Sequence, residues 1–198
     1  MCRFIESIQL KDGEFKRLEL HQERIGKALK DFYPTHKVID LVESLSSTHY
    51  PSVGICKCRV VYDSEIRKIE FIPYVRREIH SLQLVETKME STPYKKEDRS
   101  ELNNAFALRG GSDDIILVKD GLLTDTSFSN IALYDGLTWY TPRVPLIQGV
   151  NRTSLLKQGV LVEKDLYLSE LMNFQRVSLF NAMNEFGSIE LDISAIRE

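Results

Sequence analysis

Leu117-Val-Lys-Asp-Gly121-Leu-Leu-Thr-Asp125-Thr-Ser-Phe-Ser-Asn130, followed by Thr141-Pro142 and then Gly149-Val150-Asn151-Arg152, is the stretch that decides how this chain is read. It places one carboxylate, Asp125, among small hydroxyl residues and runs on to a glycine that can open a helix. Taken alone, Thr124-Asp125-Thr126-Ser127 is an ordinary polar loop whose side chains bond the local backbone. Gly149 alone is a turn leading into a helix. The meaning comes from the order of the segments.

Around that stretch the chain alternates between strand and helix patterns. Phe4 to Leu10 predicts a strand, Asp12-Gly13 a turn, and the residues after it a second strand. Ile25, Ala28, Leu29 and Phe32 recur at helical spacing over 19–32, with Pro34 just beyond, and Val38, Leu41, Val42 and Leu45 repeat the pattern. Strands are expected at 54–62, 67–74 and 81–87. The polar segment from Glu86 to Pro93 reads as a connection, so two lobes are expected, 1–87 and 88–198. In the second, a helix over 98–109 carries Leu102, Ala105 and Phe106 and stops at Gly110-Gly111. Strands follow at 114–118, 130–134 and 137–141, a helix at 150–157, and strands at 160–163, 175–181 and 188–192. No internal repeat is visible.

Composition narrows the function. With 198 residues, 42% of them hydrophobic, the chain can bury a core. Twenty-six Lys and Arg against 29 Asp and Glu give a formal charge of −3 without a basic block, so nucleic acid is not an expected partner. The start, Met1-Cys-Arg-Phe-Ile-Glu6, lacks a basic region followed by an apolar run, and no segment approaches the roughly 20 apolar residues that cross a bilayer. Cytoplasmic location without membrane contact is the expectation. The three cysteines argue against a disulfide framework, and Cys56-Lys-Cys58 lies in a strand-like run with no matching ligand pair, so packing is expected there and no metal site.

The run Gly121-Leu-Leu-Thr-Asp125-Thr-Ser-Phe-Ser-Asn130 resembles the Gly-x-x-[Ser/Thr]-Glu-x-x-x-x-Asn segment of the class IV aminotransferases. Thr141-Pro142 follows, and Gly149-Val150-Asn151-Arg152 stands where that family has Gly-Ile-Thr-Arg. The family comprises pyridoxal-phosphate enzymes: branched-chain and D-amino-acid aminotransferases and aminodeoxychorismate lyase. The resemblance implies an α+β fold of two lobes, a small N-terminal α/β lobe and a larger, β-barrel-like C-terminal lobe. It also implies a homodimer, with pyridoxal 5'-phosphate between the lobes.

By the same resemblance each site residue acquires an expected role. Lys95 in Lys95-Lys-Glu-Asp-Arg99 has the Lys-x-x-x-Arg spacing of the lyase branch and is the candidate catalytic amine, forming an aldimine and then moving protons; Lys96 is its competitor. In an extended segment the two point to opposite faces, so one of them at most faces the cofactor. Asp125 would keep the pyridine nitrogen protonated, although the family usually has the longer Glu. Gly149 with the amides of Val150 and Asn151 would cradle the phosphate at a helix start. His21-Gln-Glu-Arg24 resembles the family's His-x-x-Arg, which makes Arg24 a phosphate ligand and leaves His21 structural. Phe180-Asn181-Ala182-Met183 resembles the last family segment, so Asn181 and Ala182 are expected near the phosphate.

The chain is several tens of residues shorter than is usual in the family, and Ser100 stands where branched-chain members place a tyrosine, which argues against a branched-chain substrate. The expected activity is amino-group transfer on a small amino acid or amino compound. The alternative is the lyase elimination, which begins with the same proton abstraction. A second alternative is a binding protein that kept the scaffold without the chemistry.

Overall fold

The computed structural model describes residues 2–197, and the chain divides into two compact units. The first takes residues up to Val75 together with Pro93–Asp98; the second takes Arg76–Thr92 and the chain from Arg99 onward. The expected boundary near residue 87 therefore lies at 75/76, and the segment carrying Lys95 returns to the first unit.

In the first unit, β1 (Phe4–Lys11) turns through Asp12-Gly13 into β2 (Glu14–Phe15). Both turn residues have positive φ, 50° and 81°, as a two-residue hairpin loop requires. α1 (Leu18–Phe32) and α2 (Leu41–Ser46) follow, then β3 (Ile55–Tyr62) and β4 (Ile66–Pro73). The sheet order is β2-β1-β3-β4, and all pairings are antiparallel. Phe4 and Ile8 on β1 pack with Ile25, Ala28 and Leu29 of α1, Leu41 and Leu45 of α2, and Cys58, Val60 and Tyr62 of β3. Cys58 is thus a core residue, and burial pushes its thiol up to about 12. The apolar face expected for the second helix is half realised. Leu41 and Leu45 are buried, whereas Val38 and Val42 are 68% and 62% exposed, because Asp40 caps the helix and leaves Val38 ahead of its first turn.

The second unit is built on a nine-stranded sheet. Its strands are β5 (Leu82–Glu86), β6 (Asp114–Lys119), β7 (Leu122–Thr126), β8 (Asn130–Tyr134), β9 (Trp139–Pro142), β10 (Val162–Lys164), β11 (Arg176–Phe180), β12 (Glu190–Asp192) and β13 (Ile196–Arg197), in the order β10-β9-β8-β7-β6-β5-β13, with β11 pairing β8 and β12. α3 (Ser100–Ala107) and α4 (Val150–Lys157) complete it. Gly110, at φ 58°, takes the left-handed conformation expected just past α3. Ile116, Val118, Leu123, Ile131, Leu133, Val177 and Leu179 make up much of the main core of this unit, with a second cluster where α3 lays Leu102 and Ala105 against Ile115 and Leu117.

β7 has no counterpart among the expected strands, yet it carries Asp125. Asp120-Gly121 turns the chain back from β6, both residues again at positive φ (52° and 75°), with Lys119 opposite Leu122. The Asp-Gly dipeptide between two strand-like runs is the local signal for this hairpin. By composition alone, the hydroxyl-rich residues 124–127 read as a loop. Here those side chains are buried, and Thr124 Oγ1 donates to the Leu117 carbonyl 3.1 Å away.

Candidate active site

Asp125 is the centre of the second unit's polar cluster. β7 meets β8 at the single pair Asp125 opposite Asn130, and the intervening turn is closed by Thr126, whose N–H donates to the Ser129 carbonyl and whose Oγ1 accepts from the Ser129 amide at 3.0 Å. This turn brings Asn130 back onto the carboxylate. Asn130 Nδ2 donates to Asp125 Oδ1 at 2.8 Å and to the Ile147 carbonyl at 2.8 Å, while the Ile147 amide donates to Asp125 Oδ2 at 2.8 Å. The carboxylate is 4% exposed, and burial pushes its pKa up to about 7 against the hydrogen bonds from Asn130 and Ile147 and the charge of Arg152. A carboxylate held through both oxygens yet titrating near neutrality is suited to face a cationic or proton-sharing group.

The same asparagine touches the start of α4. Gly149 is its N-cap, with no side-chain cap, and its φ of −70° is open to any residue. Its requirement is space: a Cβ there would overlap Asn130 Oδ1. Close approach at Gly149 was expected from a phosphate; the structure shows it from Asn130. Val150, Asn151 and Arg152 are buried at 4%, 1% and 4%. First-turn amides have no acceptor inside their own helix, so a buried, uncapped helix start calls for an acceptor from outside. The residues present therefore fit an anion at the positions expected for the phosphate.

Asn151 and Asn181 are brought together. Asn151 Nδ2 donates to the carbonyls of Asn181 (2.9 Å) and Asn184 (3.2 Å), which ties the first turn of α4 to the turn after β11. Asn181 donates to the Phe128 carbonyl and Ser129 Oγ, and its Oδ1 accepts from the amides of Met183 and Asn184. Its side chain thus organises the turn in which Ala182 lies. Arg99, four residues after Lys95, reaches the Ser127 carbonyl and so secures the segment directly after Asp125.

Two motif residues without an expected role prove structural. Arg152 points inward, its Nη2 donating to the Pro142 carbonyl and to Glu163 Oε1, both at 2.7 Å, and its Nε to Thr141 Oγ1 at 3.3 Å. It fastens α4 to β9 and β10 and so ties Thr141-Pro142 to the arginine of the glycine-led segment. Asn130 is the second, and its fixed spacing from Asp125 in the motif is the signal that links the two.

In the first unit, Arg24 and His21 sit one turn apart on α1 and converge on Glu6 of β1. Arg24 donates from Nε to Oε1 at 2.8 Å and from Nη2 to Oε2 at 2.5 Å, and His21 Nδ1 meets Oε2 at 2.5 Å. Burial would raise the Glu6 pKa, but the Arg24 charge and the bonds from His21 and Arg24 bring it down to about 2. Burial lowers the His21 pKa against the opposing pull of Glu6, and since a carboxylate oxygen only accepts, Nδ1 is the nitrogen that donates to it. Glu6 had no expected role. Lys95 is half-buried and its Nζ donates to Ser7 Oγ at 3.2 Å, whereas Lys96 is exposed and its backbone bridges to Phe4. The two lysines thus differ in environment as an extended segment requires.

Comparison with known proteins agrees with this arrangement. The family model for amino-transferase class IV matches residues 3–190. An uncharacterised protein of Haemophilus influenzae is 30% identical over 186 residues, which cover 93% of this chain and 99% of that one. A structure from Haemophilus somnus, provisionally assigned as a 4-amino-4-deoxychorismate lyase, is 27% identical with a TM-score of 0.84, over 93% of this chain and 98% of its own. Two more distant structures share the fold. One, from Mesorhizobium loti and provisionally assigned as an amino-acid aminotransferase, is 20% identical with a TM-score of 0.76 over the whole of both chains. The other, a hypothetical aminotransferase of Mycobacterium tuberculosis in its PLP-bound form, is 17% identical with a TM-score of 0.74 over 94% of this chain and 80% of its own.

Proposed function

The chain belongs to the amino-transferase class IV family of pyridoxal-phosphate-dependent aminotransferases and lyases, and from that premise we propose that it transfers the amino group of a small amino acid or amino compound. The observation that carries the reading is Asp125: a buried carboxylate, fixed by Asn130 and the Ile147 amide, poised near 7, in the same unit as a buried and uncapped helix start. When bound, pyridoxal phosphate supplies an aldehyde that condenses with amines and a ring that takes up the electron pair released from a substrate C–H bond.

The chain's residues divide the remaining work. Asp125 holds a proton between its carboxylate and the ring nitrogen and keeps that nitrogen cationic. The first-turn amides of Val150 and Asn151 receive phosphate oxygens, with Gly149 opening the helix and Asn181 and Ala182 shaping the adjoining turn. Arg24, by its His-x-x-Arg motif, would be a phosphate ligand contributed by the first unit. Lys95 would be the amine that takes the proton from the substrate carbon and returns it. The protein is further proposed to be a cytoplasmic homodimer. No helix among the described residues is long and apolar enough to cross a membrane.

One specific similarity favours elimination as a second reading. The Haemophilus somnus structure, at 27% identity, carries the lyase assignment, and Arg99 keeps the Lys-x-x-x-Arg spacing of that branch. Both activities are tested on one sample. The protein is saturated with pyridoxal phosphate, reduced with borohydride and digested; the cofactor mass is expected on the Lys95 peptide. The unreduced sample is assayed with a panel of amino acids and with aminodeoxychorismate, scoring keto acid against elimination product. A label on Lys96, or no label, refutes the assignment of the amine, and turnover of aminodeoxychorismate with no keto acid from any amino donor makes the lyase the correct reading.

A further inference from the structure

Glu6 occupies a place where the packing calls for an apolar side chain. Phe4, Glu6, Ile8 and Leu10 share one face of β1, with Phe4 and Ile8 in the unit's main core and Glu6 itself fully buried. Buried ion pairs are poor sources of stability, since well-packed apolar residues of similar volume often serve as well or better. A carboxylate kept there with two bonds to one guanidinium needs another reason.

The geometry points to a positioning residue. We propose that Glu6, itself steadied by the Nδ1–H of His21, clamps the Nε–Nη2 edge of Arg24 and so holds the guanidinium in the one orientation in which it serves a phosphomonoester. The inference rests on the reading of Arg24 as the phosphate ligand given above. The bonds at 2.8 and 2.5 Å form a side-on pair in which both carboxylate oxygens are used, so the guanidinium plane cannot rotate without breaking both. His21 adds the third contact from the adjacent turn of the same helix. The Arg24 side chain is 9% exposed and Glu6 0%, so the pair is formed almost entirely out of water. Orientation fixed before binding spares the phosphate site the entropy of ordering a long side chain.

The test compares two ligands that differ by the phosphate alone. Dissociation constants for pyridoxal phosphate and for pyridoxal are measured by absorbance on the wild type, Glu6→Gln, His21→Gln, Arg24→Ala and the Glu6→Gln/Arg24→Ala double variant, with folding checked by circular dichroism. Glu6→Gln is expected to weaken pyridoxal phosphate on the order of tenfold, as loss of supporting residues does around other ligand sites, while sparing pyridoxal. His21→Gln, which keeps an N–H donor, should do so by less. In the Arg24→Ala background the Glu6 substitution should leave the ratio of the two constants unchanged, because its effect passes through the arginine. Equal weakening of both ligands by Glu6→Gln, or of neither, overturns the positioning role. Should Glu6→Gln alone fail to fold, the His21→Gln ratio decides by the same criterion. A wild-type ratio in Arg24→Ala would instead remove the phosphate role of Arg24, a separate failure.

Discussion

Asp125 titrates in the cofactor-free protein at about 7, against an ordinary value of 3.8, because burial outweighs the hydrogen bonds it accepts. The sign follows from proton counting. Between those two values the folded chain holds a proton that the unfolded chain has lost, so this group lowers stability progressively as pH rises through that window. A thermal-denaturation series on the cofactor-free protein should show that decline, and saturation with pyridoxal phosphate should flatten it by giving the carboxylate a cationic partner. Asp125→Asn should keep the fold yet reduce kcat by about 100-fold or more, since the ring nitrogen loses its proton partner; a variant with near wild-type kcat would remove Asp125 from the chemistry. Glu6 behaves oppositely. Its folded pKa of about 2 lies below the ordinary 4.5, so its contribution is complete above 4.5 and is lost as pH falls toward 2, and Glu6→Gln should remove that part of the acid-induced unfolding.

At the scale of elements, the β7–β8 turn and the start of α4 act as one piece because Asn130 is shared between them. Gly149→Ala is permitted by its φ of −70° but forces Asn130 aside, and with it two 2.8 Å bonds, one of them to Asp125. The expected cost is about 1–3 kcal/mol of stability, as for other overpacked interiors, together with weaker pyridoxal-phosphate binding. Equilibrium denaturation and a cofactor titration on the purified variant measure both, and an unchanged midpoint with unchanged affinity would show that Asn130 relocates freely. Asn130→Ala should mimic the loss of cofactor affinity without the steric strain. The strand and helix pattern of these elements was legible in the sequence except at β7. There the hydroxyl-rich run Thr124–Ser127 reads locally as a loop, and only the Asp120-Gly121 hairpin turn marks a strand.

Considered as a whole, the molecule should gain stability from its ligand by mass action. Pyridoxal phosphate at about 100 times its dissociation constant is expected to add about 2.7 kcal/mol, seen as a concentration-dependent rise in Tm, and pyridoxal at the same concentration should add less. Sedimentation of the purified protein tests the proposed homodimer, for which a strictly monomeric holoenzyme would be the contrary result. The amino-acid sequence by itself determined most element positions, the α+β class and the family, because these depend on short-range periodicity, turn dipeptides and motif spacing. It also supplied Lys95, Arg24 and Asp125 as candidates for the site. Tertiary structure alone decided that Glu6 is the buried hydrogen-bond partner of residues 15 and 18 positions away, that Asn130 joins Asp125 to the Ile147 backbone 17 positions on, and that Arg152 is an anchor. It also decided that the chain changes units at 75/76 and that 93–98 returns to the first. Burial and hydrogen-bond partnership are properties of neighbours in space, and no local pattern in the chain records which distant residue will fill that place.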